Sequence, residues 1–267
     1  GGVGKRIVEF ARALLGFLPG GLGVVTVASC LMFGGVSGSA IADTAAIGSL
    51  VIPSMLKRGY SRGFAAALLA VAGTLALLMP LSIPFLVYAF ISGVSMRQLS
   101  MAGIVPGLVM AAALIGVCVW YGRKSGCDSG DVRATRGEIW AATKDAGPAL
   151  MMPLIIVGGI WSGVFTPTES AAVAVVYGTL VSLFLYRDIT VRDLPRLLVN
   201  AFQTSATVML VIGATGALAW LITAEQVAVQ LAGWIKVVAA QQWTFLLMVN
   251  VALLLLGSLY SSSFLSP

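Results

Sequence analysis

Acidic and hydroxyl side chains lie together in one glycine-rich stretch of an otherwise apolar sequence. Ser37, Ser39 and Asp43 fall within residues 33–48, which read Phe-Gly-Gly-Val-Ser-Gly-Ser-Ala-Ile-Ala-Asp-Thr-Ala-Ala-Ile-Gly. Ser37 and Asp43 offer hard oxygen ligands of the kind that Na⁺ takes. An acid at membrane depth is costly and by default marks a functional site. The alternatives are that the serines cap helices or permit close packing, and that Asp43 is a buried, hydrogen-bonded structural acid.

The same stretch predicts a helix start. If a helix begins after a tip at Gly38, Ser39 is a natural N-cap residue. The exposed N–H groups of that first turn would then face an anion. A cation and an anion could therefore be bound close to one another.

Two prolines interrupt the apolar segment that follows. Pro80 and Pro84 remove backbone donors and disfavour helix in the residues before them, so we expect a helix over residues 64–79 to break here. Carbonyl oxygens of residues 76–81 should then be unpaired, and discontinuous transporter helices bind cations with such groups. Thr74 adds a hydroxyl nearby. A simple kink in a spanning helix is the alternative.

A second polar break occurs at Thr166-Pro-Thr-Glu169. Thr166 or Thr168 can cap the helix that follows, and Glu169 complements the positive end of its dipole. We favour this structural interpretation over a further binding site.

The composition excludes several classes of protein. Of 267 residues, 59% are hydrophobic and 10% are charged, whereas soluble domains are about a quarter charged. Disordered chains are poor in hydrophobic residues, so disorder is excluded too. Apolar runs long enough to span hydrocarbon alternate with short basic stretches. We therefore expect an all-α, polytopic membrane protein surrounded by the lipid bilayer. Its net charge of +6 reflects topology rather than nucleic-acid binding.

The absence of histidine excludes a His general base and His metal ligands. A nucleophile at Ser37 or Ser39 would therefore lack its base. The three cysteines, Cys30, Cys118 and Cys127, match no metal-binding spacing. We expect no enzymatic activity and no bound cofactor.

The pattern divides the chain into five regions. The glycine-split halves Leu22–Phe33 and Ala40–Pro53 are each too short to cross the hydrocarbon alone, which favours a re-entrant hairpin. A hairpin that does not cross also places the basic clusters on one side. The regions are an interfacial amphipathic helix (1–18), the re-entrant hairpin (19–56), the broken helix with the next transmembrane span (57–121), a cytoplasmic polar loop (122–146) and further transmembrane helices (147–267).

Three stretches carry a resemblance to a known family. They are residues 33–53, Lys57-Arg-Gly-Tyr60 and Gly163-Val-Phe-Thr-Pro-Thr-Glu-Ser-Ala-Ala-Val-Ala-Val-Val-Tyr177. They resemble the DctM-type large membrane subunit of tripartite ATP-independent periplasmic (TRAP) transporters. The similarity runs over nearly all of residues 1 to about 257.

The resemblance implies a Na⁺-coupled secondary transporter of the elevator type in the bacterial inner membrane. A periplasmic binding protein would deliver an organic anion, often a carboxylate, and a small membrane subunit would brace the large one. Na⁺ would be the coupling ion and no cofactor would be needed. The implied sodium site comprises Ser37, Asp43 and the carbonyls near Ala76, Met79 and Leu81. The implied substrate side of the hairpin tip comprises Gly38, Ser39, Thr44, Thr74 and Ser82.

Two departures from the family pattern bear on activity. Ala76, Leu77 and Leu81 stand where the family has Gly, Pro and Pro, and Leu77 would let the helix extend further. The resemblance also implies that the chain covers only the first repeat and part of the second, without the family's N-terminal spans and without the second hairpin that follows about residue 256 in the family. The alternative function is therefore a truncated, inactive remnant or a structural membrane subunit that does not transport.

Overall fold

The computed structural model describes residues 2–80, 82–128, 130–227 and 242–265. The chain forms two compact units, residues 1–199 and 200–267. In the described ranges the regular structure is helical and no strand occurs. The α-helices are α1 (Gly2–Leu15), α2 (Gly21–Ser37), α3 (Ala40–Lys57), α4 (Arg62–Gly73), α5 (Leu75–Leu78), α6 (Ile83–Ser92), α7 (Met96–Ser125), α8 (Arg136–Ser162), α9 (Pro167–Leu180), α10 (Leu194–Ala224) and α11 (Gln242–Leu265).

Long apolar helices dominate this architecture. Among the described residues, six helical segments are long and apolar enough to cross a membrane: 40–57, 62–92, 96–125, 136–162, 167–185 and 191–224. The π-helical turn Val181–Leu185 extends α9, and the short 3₁₀ turn Val191–Asp193 precedes α10. The prediction of a polytopic helical membrane protein is confirmed.

Helices α2 and α3 form a hairpin whose turn consists of two residues. Gly38 adopts a left-handed conformation (φ +60°) and its N–H bonds to the Gly34 carbonyl, a position that favours glycine. Ser39 then caps α3, its hydroxyl accepting a hydrogen bond from Ala42 N at 3.4 Å. Local sequence chemistry therefore sets the turn at the predicted tip.

The legs of the hairpin are longer than the sequence indicated. Helix α2 has 17 residues and α3 has 18, and the second is among the segments long enough to span. The prediction that both legs are too short to cross is therefore wrong for α3, which continues through Pro53 to Lys57. Helices tolerate such prolines where neighbouring groups compensate for the lost bond. That the hairpin is re-entrant stays a prediction.

Helix α1 is held against the rest of the first unit. It ends at Leu15 rather than residue 18, and Ile7 and Ala11 on its apolar face are fully buried. Its packing partners include α2 and α8. Arg6, mostly buried, pairs with Asp145 and Asp188, each at 3.3 Å, and its guanidinium carbon lies 3.7 Å from the centroid of the Tyr186 ring.

Replacing Arg6 by glutamine should destabilise the protein by about 1–2 kcal/mol, because it removes two ion pairs and a cation–π contact from a partly buried site. The thermal unfolding midpoint in detergent, followed by tryptophan fluorescence, measures the loss. Lys5→Gln is the matched control, since Lys5 is exposed and its ion-pair partner among the described residues is Glu9, at 3.9 Å. Equal midpoints for the two variants would contradict the prediction.

The predicted broken helix is interrupted twice rather than once. Helix α4 ends at Gly73, the single turn α5 covers Leu75–Leu78, and α6 begins at Ile83. The predicted continuous helix over residues 64–79 is therefore wrong, because the chain kinks at Thr74 before it reaches Pro80. Leu77 lies within the separate turn α5.

The polar connection after α7 is shorter than predicted. Helix α7 continues to Ser125 and α8 begins at Arg136, so residues 122–125 and 136–146 of the predicted loop are helical. A capping box starts α8 early, since Thr135 and Glu138 bond to each other's backbone N–H groups. Only residues 126–135 connect the two helices.

Two tyrosines that follow α8 in the sequence form hydrogen bonds with the backbone of α8. The Tyr186 hydroxyl donates to Asp145 O at 2.9 Å and accepts from Ala149 N at 3.1 Å. It thereby bridges two groups that pair with each other in an uninterrupted helix. Tyr177 donates to Pro148 O at 2.9 Å.

Candidate cation site

Asp43 is fully buried where the hairpin tip meets the broken helix. Its Oδ1 accepts a hydrogen bond from the Ser37 hydroxyl, and the Ser37 oxygen accepts one from Ser39 N at 3.2 Å. Its Oδ2 has no hydrogen-bond partner in the described part of the chain. A buried carboxylate oxygen without a partner is costly unless a cation compensates it. This unpaired oxygen therefore fits a cation ligand.

Gly34 of α2 allows helix α5 to lie close to the Asp43 carboxylate. A methyl group on Gly34 would lie 2.7 Å from Ala76 Cα and 3.1 Å from Asp43 Oδ2. The first distance is too short for any Cβ atom and the second is unusually short, so glycine at this position lets α2 and α5 approach each other closely. Ala76 and the unpaired oxygen consequently flank a single glycine of α2.

The tip is also joined to the start of α6. The Gly38 carbonyl accepts a hydrogen bond from Ile83 N at 3.3 Å. The adjacent Ser82 is buried and caps α6, its hydroxyl accepting from Phe85 N at 3.4 Å. Gly38 and Ser82, two of the predicted tip residues, therefore both lie at this junction.

The hydroxyl groups of Thr44 and Thr74 make different contacts. The Thr44 hydroxyl lies directly against Gly73 at the end of α4, where a side chain at residue 73 would collide with it. The Thr74 hydroxyl donates to Val71 O at 2.7 Å within its own helical turn. Thr44 therefore contacts the broken helix, whereas the hydroxyl hydrogen of Thr74 is bonded to the backbone of its own helical turn.

The prediction of unpaired carbonyls in the break is wrong for Ala76 and Met79. Ala76 O accepts from Met79 N at 3.3 Å, and Met79 O accepts from Ser82 N at 3.0 Å. Both are i→i+3 turn bonds, which re-pair backbone groups released by the proline. Each carbonyl retains a second lone pair for a cation. Leu81 lies outside the described residues.

The polar residues before α9 form a helix cap. Thr166 Oγ1 accepts from Glu169 N at 3.3 Å, while the Glu169 carboxylate accepts from Thr166 N at 2.7 Å and from its hydroxyl at 2.8 Å. Thr168 is exposed in the same turn. These bonds are the ones the favoured structural interpretation requires.

Sequence reasoning missed two features of the structure around the hairpin. The close approach at Gly34 could have been suspected from the Gly34-Gly35 pair, which was interpreted only as a helix break. Asp128 was placed in a plain polar loop, yet it is buried and bonded to the hairpin. No local signal distinguishes Asp128 from a solvent-exposed loop acid.

The chain shows extensive similarity to known transport proteins. The family model described as "Tripartite ATP-independent periplasmic transporter, DctM component" matches residues 1–263. The C4-dicarboxylate TRAP transporter large permease protein DctM of Pseudomonas aeruginosa is 38% identical over 263 residues, which are 98% of this chain and 61% of that protein.

Two further relatives carry other substrate names. The isethionate TRAP transporter permease protein DctMQ of Oleidesulfovibrio alaskensis is 38% identical over 97% of this chain and 41% of its own length. The sialic acid TRAP transporter large permease protein SiaM of Vibrio cholerae is 34% identical over 98% of this chain and 61% of its own length. The chain therefore spans about two-fifths to three-fifths of these curated relatives.

The helical fold and these matches define a multi-pass membrane protein from a family of transporter permeases, which is not an enzyme family. The chain belongs to the DctM family of TRAP transporter large membrane subunits, proteins of the inner membrane in bacteria.

Proposed function

We propose that this chain belongs to the large membrane subunit of a Na⁺-coupled transporter that imports organic anions. The observation that carries the proposal is the unpaired Oδ2 of Asp43, fully buried between the hairpin tip and the broken helix. Relatives named for a C4-dicarboxylate, isethionate and sialic acid support an organic anion, with carboxylates as the main class.

The residues around Asp43 form a suitable donor set for Na⁺. The carboxylate, the Ser37 hydroxyl oxygen and the second lone pairs of the Ala76 and Met79 carbonyls are hard oxygen donors. A bound Na⁺ supplies the positive charge that a buried carboxylate requires. Since the donors come from both the hairpin and the broken helix, ion binding would favour the arrangement in which the two are packed together.

The tip of the hairpin suits the anionic substrate. Helix α3 begins there, and the positive end of its dipole favours an anion. We therefore place the substrate near Gly38, Ser39 and Thr44, close to the cation. A periplasmic binding protein would supply it, a small membrane subunit would brace the large one, and the hairpin with its broken helix would move as in an elevator.

The proposal is tested by reconstituting the whole transporter, with its small subunit and binding protein, into proteoliposomes. We expect uptake of a radiolabelled C4-dicarboxylate, isethionate or sialic acid under an inward Na⁺ gradient and none when K⁺ replaces Na⁺. Uptake that is equal with K⁺ would contradict sodium coupling. No uptake of any organic anion would instead favour a subunit that does not transport.

A further inference from the structure

Residues 126–128, 130 and 131, here called the clasp, bind one end of the hairpin from outside it. Asp128 is the centre of the clasp, and only 2% of its side chain is exposed. Its Oδ2 accepts hydrogen bonds from Leu22 N at 2.9 Å and from the Tyr60 hydroxyl at 3.1 Å. Its Oδ1 accepts from Arg58 Nη1 at 3.0 Å and from Gly130 N at 3.3 Å. A buried carboxylate with four donors is held firmly in one position.

Asp128 completes the start of helix α2. The N-cap position of α2 is Gly20, which has no side chain to accept a hydrogen bond from the first turn. The Asp128 carboxylate takes that role for Leu22 N, and its charge complements the positive end of the helix. The Asp128 carbonyl also accepts from Gly20 N at 2.8 Å. The first leg of the hairpin is thus capped by a distant loop.

The same carboxylate holds the end of the second leg. Arg58 is the C-cap residue of α3, the helix that carries Asp43, and its guanidinium bonds to both Asp128 and Asp131. The Tyr60 hydroxyl, besides donating to Asp128, accepts from Gly23 N at 3.3 Å. The two legs are therefore fixed relative to each other at their base through one buried acid.

Asp131 extends the clasp to α1. It accepts from Arg12 Nε at 2.7 Å, and its backbone N–H bonds to Gly16 O at 2.7 Å. The hydrogen bond from Arg12, together with the one from Arg58, holds the pKa of Asp131 below its ordinary value. A lowered carboxyl pKa means that the stabilisation is present at neutral pH and is lost only in acid, as the pH falls through that pKa.

We infer that Asp128 is a positioning residue for the cation site, acting through the two legs of the hairpin. The inference rests on the proposed function, because the site it positions is the proposed Na⁺ site. Helix α2 has 17 residues, about 25 Å of helix, from Gly21 at the base to Ser37 at the tip. Packed helices transmit axial displacement because their interiors are not compressible. A slip of one leg at the base therefore separates the Ser37 hydroxyl from Asp43.

The variant Asp128→Asn tests the inference with little change in volume. An asparagine keeps one acceptor oxygen and presents an amide donor to either Arg58 or the Leu22 and Tyr60 donors. In the reconstituted whole transporter, we expect the Na⁺ concentration for half-maximal uptake to rise about three- to tenfold. A clasp that serves only stability would lower the amount of folded protein and the maximal rate without changing that concentration.

Hydrogen–deuterium exchange of the purified protein gives a readout that does not depend on sodium coupling. In Asp128→Asn we expect amide exchange about tenfold faster or more in residues 36–43, as well as in residues 20–24 at the base. Faster exchange confined to the base and the clasp would overturn the inference. A wild-type transporter without any Na⁺ response would count against the proposed function alone, since the exchange measurement would still decide on positioning.

Asp145→Asn is the matched control. Asp145 is also an arginine-paired aspartate, since it bonds to Arg6, but its side chain is over half exposed and it has no bond to the hairpin in the described structure. We expect this variant to leave both the sodium dependence and the exchange of residues 36–43 unchanged. Equal effects in the two variants would show that loss of any such ion pair is sufficient, and would overturn the specific role of Asp128.

Discussion

Asp43→Asn is expected to raise the Na⁺ concentration for half-maximal uptake at least about tenfold, a loss of about 1.4 kcal/mol or more in ion binding. Asparagine retains an oxygen that can accept the Ser37 hydrogen bond, so the local packing should be kept. The negative charge that compensates Na⁺ in a buried environment is what disappears. Uptake measured in proteoliposomes over a range of Na⁺ concentrations gives the shift directly.

Membrane insertion should be unaffected in this variant, because a neutral amide is easier to bury than a carboxylate. Glu169→Gln is the charge-matched control: it also removes a carboxylate, but from the exposed capping box of α9, where glutamine preserves the cap. An unchanged sodium response in Asp43→Asn, or an equal change in both variants, would exclude Asp43 from the cation site.

Gly34→Ala is expected to abolish most uptake while the protein still inserts in the membrane. The added methyl group would lie 2.7 Å from Ala76 Cα, a backbone atom that cannot rotate away. Helix α2 or α5 must therefore shift, which should cost about 1–3 kcal/mol as overpacking usually does. Because the methyl group would also lie 3.1 Å from Asp43 Oδ2, it should crowd the proposed ligand. Uptake and the thermal unfolding midpoint measure the two effects.

The control for this variant is Gly116→Ala. Gly116 is also helical, in α7, and in the described structure no atom beyond its chain neighbours and the adjacent turns of its own helix backbone lies within 4 Å of an added methyl group. Since alanine favours helix over glycine, this variant should be as stable as the wild type or slightly more so. Normal uptake in Gly34→Ala would show that the hairpin and the broken helix need not approach as closely as the structure indicates.

Local chemistry made the hairpin turn predictable from the sequence. Gly38 supplies the left-handed conformation that ends α2, and Ser39 supplies the cap that starts α3. The apolar amino-acid composition made the helical membrane class predictable. The motif around Asp43 indicates the family, and the family match confirms it. These inferences needed only short-range patterns and the cost of burying polar groups.

A tight local turn and contacts between distant residues account for what could not be predicted. The carbonyls of Ala76 and Met79 regain partners because the chain turns tightly after the break, and a proline pattern alone does not show that turn. The fit of Gly34 against Ala76 and the burial of Asp128 depend on residues far apart in sequence. The bonding of Ser37 to Asp43 adds support to the predicted site, but ion binding there stays a prediction.

The hydroxyl of Tyr186, set between Asp145 O and Ala149 N, has a mechanical consequence for α8. Pro148 lies within that turn and contributes no donor, so the turn is already weaker than its neighbours. A hydroxyl that both donates and accepts lets the turn widen while the two backbone groups stay bonded. Any bend of α8 at this turn would therefore leave both backbone groups hydrogen-bonded, provided that the Tyr186 ring moves with them.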